Sequence, residues 1–126
     1  MTEPPAVEST VDEFGGLDTL VNNASASLVA SFDDISENGF RTILEVNLAG
    51  AATCAHEAAG HLADGSGTVI NPSSVAGQRG APYMSHYAAA KAGVENLTRS
   101  LVVEWADRDV RVNCLVPGYV TTPGVE

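Results

Sequence analysis

Positive charge is scarce in this sequence of 126 residues. It has 6 Lys and Arg against 16 Asp and Glu, which gives a formal net charge of −10, and Lys91 is its only lysine. A surface of this charge repels the phosphates of nucleic acids and the head groups of anionic lipids. The composition therefore argues against nucleic acid and membrane surfaces as partners, and it resembles that of proteins adapted to high salt.

Cysteine is also rare, and long apolar runs are missing. Cys54 and Cys114 are too few for a disulfide framework and do not have metal-ligand spacing. The opening residues, MTEPPAVEST, lack the basic and apolar regions of a signal peptide, and no apolar run is long enough to span a bilayer. We therefore expect a cytoplasmic protein. Hydrophobic residues make up 44% of the chain, which is enough for one folded domain with a modest core.

Short apolar runs alternate with helical patterns along the chain. The pattern predicts a helix at 7–14, a strand at 17–22, one helix from the N-cap Ser36 to about residue 65 with a weak point at Gly50, a strand at 67–74, a helix at 85–106 and a strand at 110–116. Strands and helices that alternate through short connections predict an α/β fold with a parallel sheet. Ligands of such sheets bind at the carboxyl ends of the strands, so we expect one crevice lined by Asn22, Ser74 and Pro117.

The stretch SHYAAAKAG at 85–93 contains a candidate catalytic pair. Tyr87 and Lys91 are four residues apart and so share one helix face. A nearby cation favours the phenolate, and such a tyrosine can pass a proton to or from an alcohol oxygen near neutral pH. Ser74, at a strand end, could donate to the same substrate oxygen. Alternatively, Tyr87 is a half-buried helix residue and Lys91 its solvated neighbour, because a YxxxK spacing alone is a weak signal.

Five segments together indicate a known family. They resemble, in order and spacing, the short-chain dehydrogenase/reductase family: NNAS at 22–25, VNLAG at 46–50, INPSSVAGQRG at 70–80, YAAAK at 87–91 and RVNCLVPGYVTTP at 111–123. The resemblance implies a Rossmann-like doubly wound parallel sheet, of which about three strands with flanking helices lie in this chain. It also implies an NAD(P)-dependent oxidoreductase that moves a hydride between nicotinamide and a small carbonyl or alcohol substrate. We further expect a homo-oligomer.

The resemblance implies a role for each matched residue. Among the catalytic residues, Tyr87 matches the acid/base, Lys91 the residue that tunes it and holds the nicotinamide ribose, Ser74 the serine that orients the substrate carbonyl, and Asn47 the asparagine that holds a water in the proton relay. The implied contacts with NAD or NADP are Asn22, Asn23 and Ala24 on the adenosine side, Tyr87 and Lys91 at the ribose, and Pro117, Gly118 and Thr122 at the nicotinamide. Ser25 stands where the family has a glycine. Taken singly, Ser74, Asn47 and Pro117 also suit ordinary turns, helix bends and strand ends.

The family's glycine-rich turn, TGxxxGxG, has no match in these residues. Its glycines and the following helix N-terminus allow the backbone to approach the cofactor pyrophosphate. We therefore expect residues 1–126 to form a single partial domain that lacks the dinucleotide-phosphate-binding unit and stops before the last strand. Two alternatives stay open: a substrate range like that of the enoyl- or dienoyl-CoA reductases, and a non-catalytic fragment that keeps the four catalytic residues but cannot hold cofactor.

Three further features resemble functional motifs. HEAAGH at 56–61 suggests zinc, but His56 and His61 are five residues apart, whereas HExxH needs four, and we expect no metal site. Tyr83 and Tyr119 are rival tyrosines, but neither has a lysine four residues later. His86 adjoins Tyr87 and is expected to point off its face.

Overall fold

Three parallel strands alternate with helices in the computed structural model, which describes residues 6–63, 65–121 and 123. The helices α1 to α4 are Ala6–Phe14, Glu37–Leu44, Gly50–Ala63 and Ser85–Glu104, and the strands β1 to β3 are Thr19–Val21, Thr68–Pro72 and Arg111–Leu115. Short 3-10 turns lie at Phe32–Asp34, Val75–Gly77 and Ala106–Arg108, and a π-helical turn lies at Glu45–Ala49. The predicted α/β fold and its parallel sheet are confirmed.

The sheet has the strand order β1–β2–β3. Leu20 pairs with Val69, and Val69 pairs with Val112, so these three side chains project from the same face of the sheet. Val69 and Val112 are buried in the core, whereas Val21, on the opposite face, is 53% exposed. In the described part of the chain, the helices therefore cover one face of the predicted doubly wound sheet.

Helix α3 supplies the centre of the core. Its Ala55, Ala58 and Leu62 recur at helical spacing, are at most 2% exposed and share one cluster with Val69. The turn from α3 into β2 passes close to this cluster, because a Cβ at Gly67 would lie 2.6 Å from Leu62 Cβ. Only glycine leaves enough space there, so the connection between α3 and β2 is fixed by packing.

The helix predicted to begin at Ser36 begins there and continues to Ala63, with a π-helical turn at Glu45–Ala49 inside it. Ser36 Oγ accepts a hydrogen bond of 2.9 Å from Gly39 N, which confirms the predicted N-cap. The backbone then widens into the π-helical turn directly before Gly50, and the Asn47 amide donates to the Ile43 carbonyl at 2.9 Å. A side chain that bonds the carbonyl four residues back competes with the backbone and favours such an interruption. The predicted helix therefore forms, and the π-helical turn inside it adjoins the predicted weak point at Gly50.

Candidate active site

The loops that follow the three strands meet at the carboxyl edge of the sheet. Asn22 N, directly after β1, donates to Ile70 O at 3.0 Å. Ser73 N, directly after β2, donates to Leu115 O at 2.6 Å, and Val75 N donates to Pro117 O at 3.2 Å. The backbone itself thus joins the loops that contain Asn22, Ser74 and Pro117.

Tyr87 and Lys91 lie in the first two turns of α4. The Lys91 Nζ is 5.7 Å from the centroid of the Tyr87 ring, so the two side chains share one face of the helix. Lys91 is only 3% exposed, and its Nζ donates to the Pro72 carbonyl at 3.0 Å. Because Pro72 ends β2, this bond fixes the ammonium group at the edge where the three loops meet. The alternative in which Lys91 is a solvated neighbour does not agree with this burial.

Burial lowers the pKa of the Lys91 ammonium below its ordinary value, because the charged form loses solvation. Cys114, on β3, opposes this shift with a smaller effect that raises the pKa of Lys91. Burial also raises the pKa of the Cys114 thiol, and the nearby Glu95 carboxylate raises it further. The sequence motif alone did not reveal the coupling between Lys91 and Cys114.

Ser74 lies between β2 and the 3-10 turn at Val75–Gly77, and it is half-buried. Its Oγ accepts a hydrogen bond of 3.2 Å from Ala76 N. A serine hydroxyl has one proton to donate besides its lone pairs. The contact with Ala76 uses a lone pair, so the Ser74 proton remains available for a substrate oxygen.

Asn47 is buried in the π-helical turn, and both halves of its amide are engaged. Its Nδ2 donates to Ala26 O at 2.7 Å and to Ile43 O at 2.9 Å, while its Oδ1 accepts from Ser25 Oγ at 2.9 Å. These bonds hold the loop that follows β1 against the junction of α2 and α3. Ser25, at the position where the family has a glycine, takes part in this arrangement. The water-holding role of Asn47 stays a prediction.

Asn22 begins a chain of buried polar side chains behind the sheet edge. Its Nδ2 donates to Asn71 Oδ1 at 2.8 Å, and Asn71 Nδ2 donates to Thr98 Oγ1 at 3.1 Å. The chain joins the end of β1, strand β2 and helix α4. Asn23 and Ala24 follow Asn22 and are exposed. Sequence reasoning missed Asn71 and Thr98, although an asparagine at an inward position of an apolar strand was a usable signal.

The loop after β3 contains the remaining predicted cofactor contacts. Pro117 is tied to the Ser74 turn through its carbonyl, and Gly118 is open, since a Cβ there would have no atom within 4 Å. Thr122 lies outside the described residues. The structure therefore places Pro117 beside the turn that follows Ser74, and among the described residues it leaves space at Gly118.

The rival tyrosines are exposed, and the neighbouring histidine has another contact. Tyr83 and Tyr119 are 61% and 85% exposed, while His86 is fully buried and its Nδ1 accepts from Tyr87 N at 3.0 Å. Within residues 6–63, 65–121 and 123, no group of three or more side chains could hold a metal ion. The same residues contain no helix with the length and apolar composition needed to cross a membrane.

Similarity to known proteins agrees with this geometry. The sequence matches the family model of the short chain dehydrogenases over residues 4–126. A cis-4-hydroxycyclohexanecarboxylate dehydrogenase from Sinomonas cyclohexanicum is 42% identical over 98% of this chain and 52% of its own length. A peroxisomal 2,4-dienoyl-CoA reductase from Arabidopsis thaliana is 39% identical over 94% of this chain and 44% of its own length. A solved gluconate 5-dehydrogenase from Burkholderia cenocepacia, in complex with NADP and tartrate, superposes with a TM-score of 0.87 at 32% identity, covering 93% of this chain and 46% of that one.

The parallel sheet with its candidate site at the carboxyl edge defines a Rossmann-like α/β fold class. Within that class, the chain belongs to the short chain dehydrogenase family. It spans about half the length of the curated relatives that it matches.

Proposed function

We propose that the protein is an NAD(P)-dependent oxidoreductase that moves a hydride between nicotinamide and a carbonyl or alcohol carbon, with Tyr87 as the acid/base. The observation that carries this proposal is the position of Lys91. Its Nζ is 5.7 Å from the Tyr87 ring and is fixed to the Pro72 carbonyl at the edge of the sheet. A buried cation beside a tyrosine at this edge suits proton transfer to or from an alcohol oxygen.

In the proposed mechanism, each residue has one task at the substrate oxygen. Tyr87 donates its proton to that oxygen during carbonyl reduction and takes it back during alcohol oxidation. Lys91 stabilises the phenolate by its charge, and the free proton of Ser74 donates to the same substrate oxygen. Asn47 holds the loop after β1 in place and is the proposed site of a water in the proton relay.

The residues present suit the nicotinamide half of the cofactor. Of the three donors on Lys91 Nζ, one is used by Pro72 O, so two can donate to ribose hydroxyls. Gly118 and Pro117, with Thr122, would contact the nicotinamide, and Asn22, Asn23 and Ala24 would contact the adenosine side. The bound cofactor would supply or accept the hydride. The glycine-rich turn that would bind its pyrophosphate has no match in the sequence.

We also propose that residues 1–126 form one partial domain of the family, in the cytoplasm, and that the protein is a homo-oligomer. Support for the partial domain comes from the relatives, of which the chain covers 52% and 44%. Sequencing the coding DNA on the 5′ side of the Met1 codon tests it. An in-frame TGxxxGxG would show that the domain continues on that side and would favour the oxidoreductase. A stop codon with no such motif would favour the non-catalytic alternative.

In the full-length protein, the substitution Tyr87→Phe tests the acid/base role, since it removes the hydroxyl and keeps the ring. We expect kcat to fall at least about 100-fold, the usual contribution of a positioned acid/base, with little change in cofactor affinity. Tyr119→Phe is the matched control, because Tyr119 is 85% exposed and should leave kcat unchanged. Turnover in Tyr87→Phe equal to that of the control would contradict the proposal.

A second candidate function is a non-catalytic chain that associates with another polypeptide. The exposed face of the sheet, with Val21 at 53% and Leu115 at 58% exposure, favours this alternative. We expect the 126-residue chain by itself to bind NADH and NADPH weakly, because pyrophosphate recognition depends on backbone amides that it does not supply. We also expect it to be oligomeric in low salt, because an exposed apolar strand can pair with another chain. Titration calorimetry measures the affinity for NADH and NADPH, and size-exclusion chromatography measures the oligomeric state. A monomer that binds either cofactor with micromolar affinity would contradict both expectations.

The substrate range has two candidates. One is a small alcohol or ketone, as named for the Sinomonas relative, and the other is an enoyl- or dienoyl-CoA, as named for the Arabidopsis relative. The proposed donation from Ser74, whose Oγ uses a lone pair for Ala76 N, suits the oxygen of an alcohol or ketone and favours the first. Parallel assays with cyclic alcohols and with 2,4-dienoyl-CoA, at equal enzyme concentration, distinguish them by the ratio of kcat/KM values.

A further inference from the structure

Glu95 is a buried carboxylate that none of the predicted roles includes. It lies on α4 one turn after Lys91 and is 7% exposed. Its Oε2 accepts a hydrogen bond of 2.7 Å from Ser73 Oγ, and its Oε1 accepts one of 3.4 Å from Gln78 Nε2. Arg99, whose side chain is 70% exposed, approaches Oε1 only to 4.0 Å. Ser73 and Gln78 are therefore the closest side-chain donors to this carboxylate among the described residues.

The position of these two donors in the sequence is informative. Ser73 directly precedes Ser74, and Gln78 directly follows the 3-10 turn at Val75–Gly77. Glu95 thus binds both ends of the segment that contains Ser74. A buried carboxylate is costly unless hydrogen bonds compensate it, so Glu95 favours the conformation that brings both donors to it. The segment is thereby tied to α4, the helix that contains Tyr87 and Lys91.

The turn also fits closely against α4. A Cβ at Gly77 would lie 2.6 Å from Glu95 Oε2 and 2.9 Å from the backbone carbon of Lys91. Ser73 Oγ lies 3.2 Å from the Lys91 carbonyl oxygen as well. Little space therefore remains between the turn and both the Glu95 side chain and the backbone of α4 at Lys91.

We propose that Glu95 is a positioning residue, which holds the turn containing Ser74 at a fixed place on α4 relative to Tyr87 and Lys91. It acts through Ser73 and Gln78 and does not touch the reacting atoms. The catalytic consequence rests on the proposed function, since it requires Ser74 and Tyr87 to act on one substrate oxygen. The structural part, the attachment of the turn to α4, does not.

Steady-state kinetics test the catalytic consequence. In Glu95→Ala we expect kcat to fall about 10-fold while KM for the cofactor stays within about 2-fold, because a displacement of about 1 Å in an active-site group can cost up to 100-fold in rate. Glu95→Gln keeps an acceptor for Ser73 and should recover most of the loss. Glu104→Ala, an exposed glutamate at the end of the same helix, is the control and should resemble the unchanged protein.

Amide hydrogen exchange tests the attachment of the turn without any need for activity. Gly77 N donates to Ser74 O at 2.8 Å, and Gln78 N donates to Val75 O at 3.1 Å. In Glu95→Ala, both amides should exchange at least 10-fold faster, while the amides that pair β2 with β3 stay protected. If Glu95→Ala does not fold, Ser73→Ala removes the nearer donor, keeps the carboxylate and takes its place in both measurements.

The outcomes separate this proposal from the proposed function. Unchanged exchange at Gly77 and Gln78 would overturn the attachment, and faster exchange with unchanged kcat would overturn the positioning role. If the unsubstituted full-length protein, with its cofactor-binding turn, shows no turnover, the proposed function fails, and with it the catalytic consequence for Glu95. The exchange measurement then still decides whether Glu95 holds the turn.

Discussion

Gly77 offers a direct stability test of the contact between the Ser74 turn and α4. In Gly77→Ala, the new Cβ would lie 2.6 Å from Glu95 Oε2, 2.8 Å from Ser73 Oγ and 2.9 Å from the backbone carbon of Lys91. Ordinary contacts of carbon begin near about 3.5 Å, so all three neighbours are too close. The side-chain atoms could rotate away, but the helix backbone cannot, and the turn must therefore move. Overpacking of this kind costs about 1 to 3 kcal/mol in the free energy of unfolding.

Alanine substitutions at two other glycines serve as controls for the stability measurement on Gly77→Ala. Gly60 is an exposed residue of α3 with no atom within 4 Å of its Cβ position, so Gly60→Ala should stabilise the chain by about 0.5 to 1 kcal/mol through helix propensity. At Gly93 the Cβ would meet the flexible end of Leu48 at 2.7 Å, and the two effects should nearly cancel. Urea unfolding in molar salt gives the order Gly60→Ala, Gly93→Ala, Gly77→Ala from most to least stable. A Gly77→Ala chain as stable as Gly60→Ala would refute the close contact.

Two further predictions concern charge. Selective ¹³C labelling should give a single lysine Cε resonance, because Lys91 is the only lysine, and its titration should show a pKa below the ordinary value, since burial disfavours the ammonium. The unfolded chain then binds more protons between the two pKa values, so the free energy of unfolding should rise with pH in that range and Lys91→Met should abolish the rise. The dependence of the free energy of unfolding on pH is measured in a Cys114→Ala background, because the raised pKa of Cys114 makes that free energy fall with pH in its own range. A Lys91 titration at its ordinary pKa would contradict the burial of the ammonium group. Molar salt should raise Tm, since screening weakens the self-repulsion of a chain with net charge −10, and a Tm that stays flat or falls would argue against it.

Local chemistry explains which elements could be predicted from the sequence. The N-cap at Ser36 and the end of α1 at Gly15, which has φ of 85°, depend on neighbours a few residues away, so the sequence pattern was sufficient. The helix predicted through residues 36–65 forms, but the sequence pattern did not predict the π-helical turn at Asn47. Its amide bonds to Ala26 as well as to Ile43, and the contact with Ala26 exists only after the loop has folded against the helix.

The sequence by itself determined the fold class and the face shared by Tyr87 and Lys91, because the period of a helix or strand places side chains without knowledge of distant residues. Only the tertiary structure decided what surrounds them. The hydrogen bonds from Lys91 to Pro72 and from Ser73 to Glu95 join residues that are 19 or more positions apart. A buried glutamate and an exposed one look alike in a helical sequence, and they differ in chemistry only when a second element removes water from one of them.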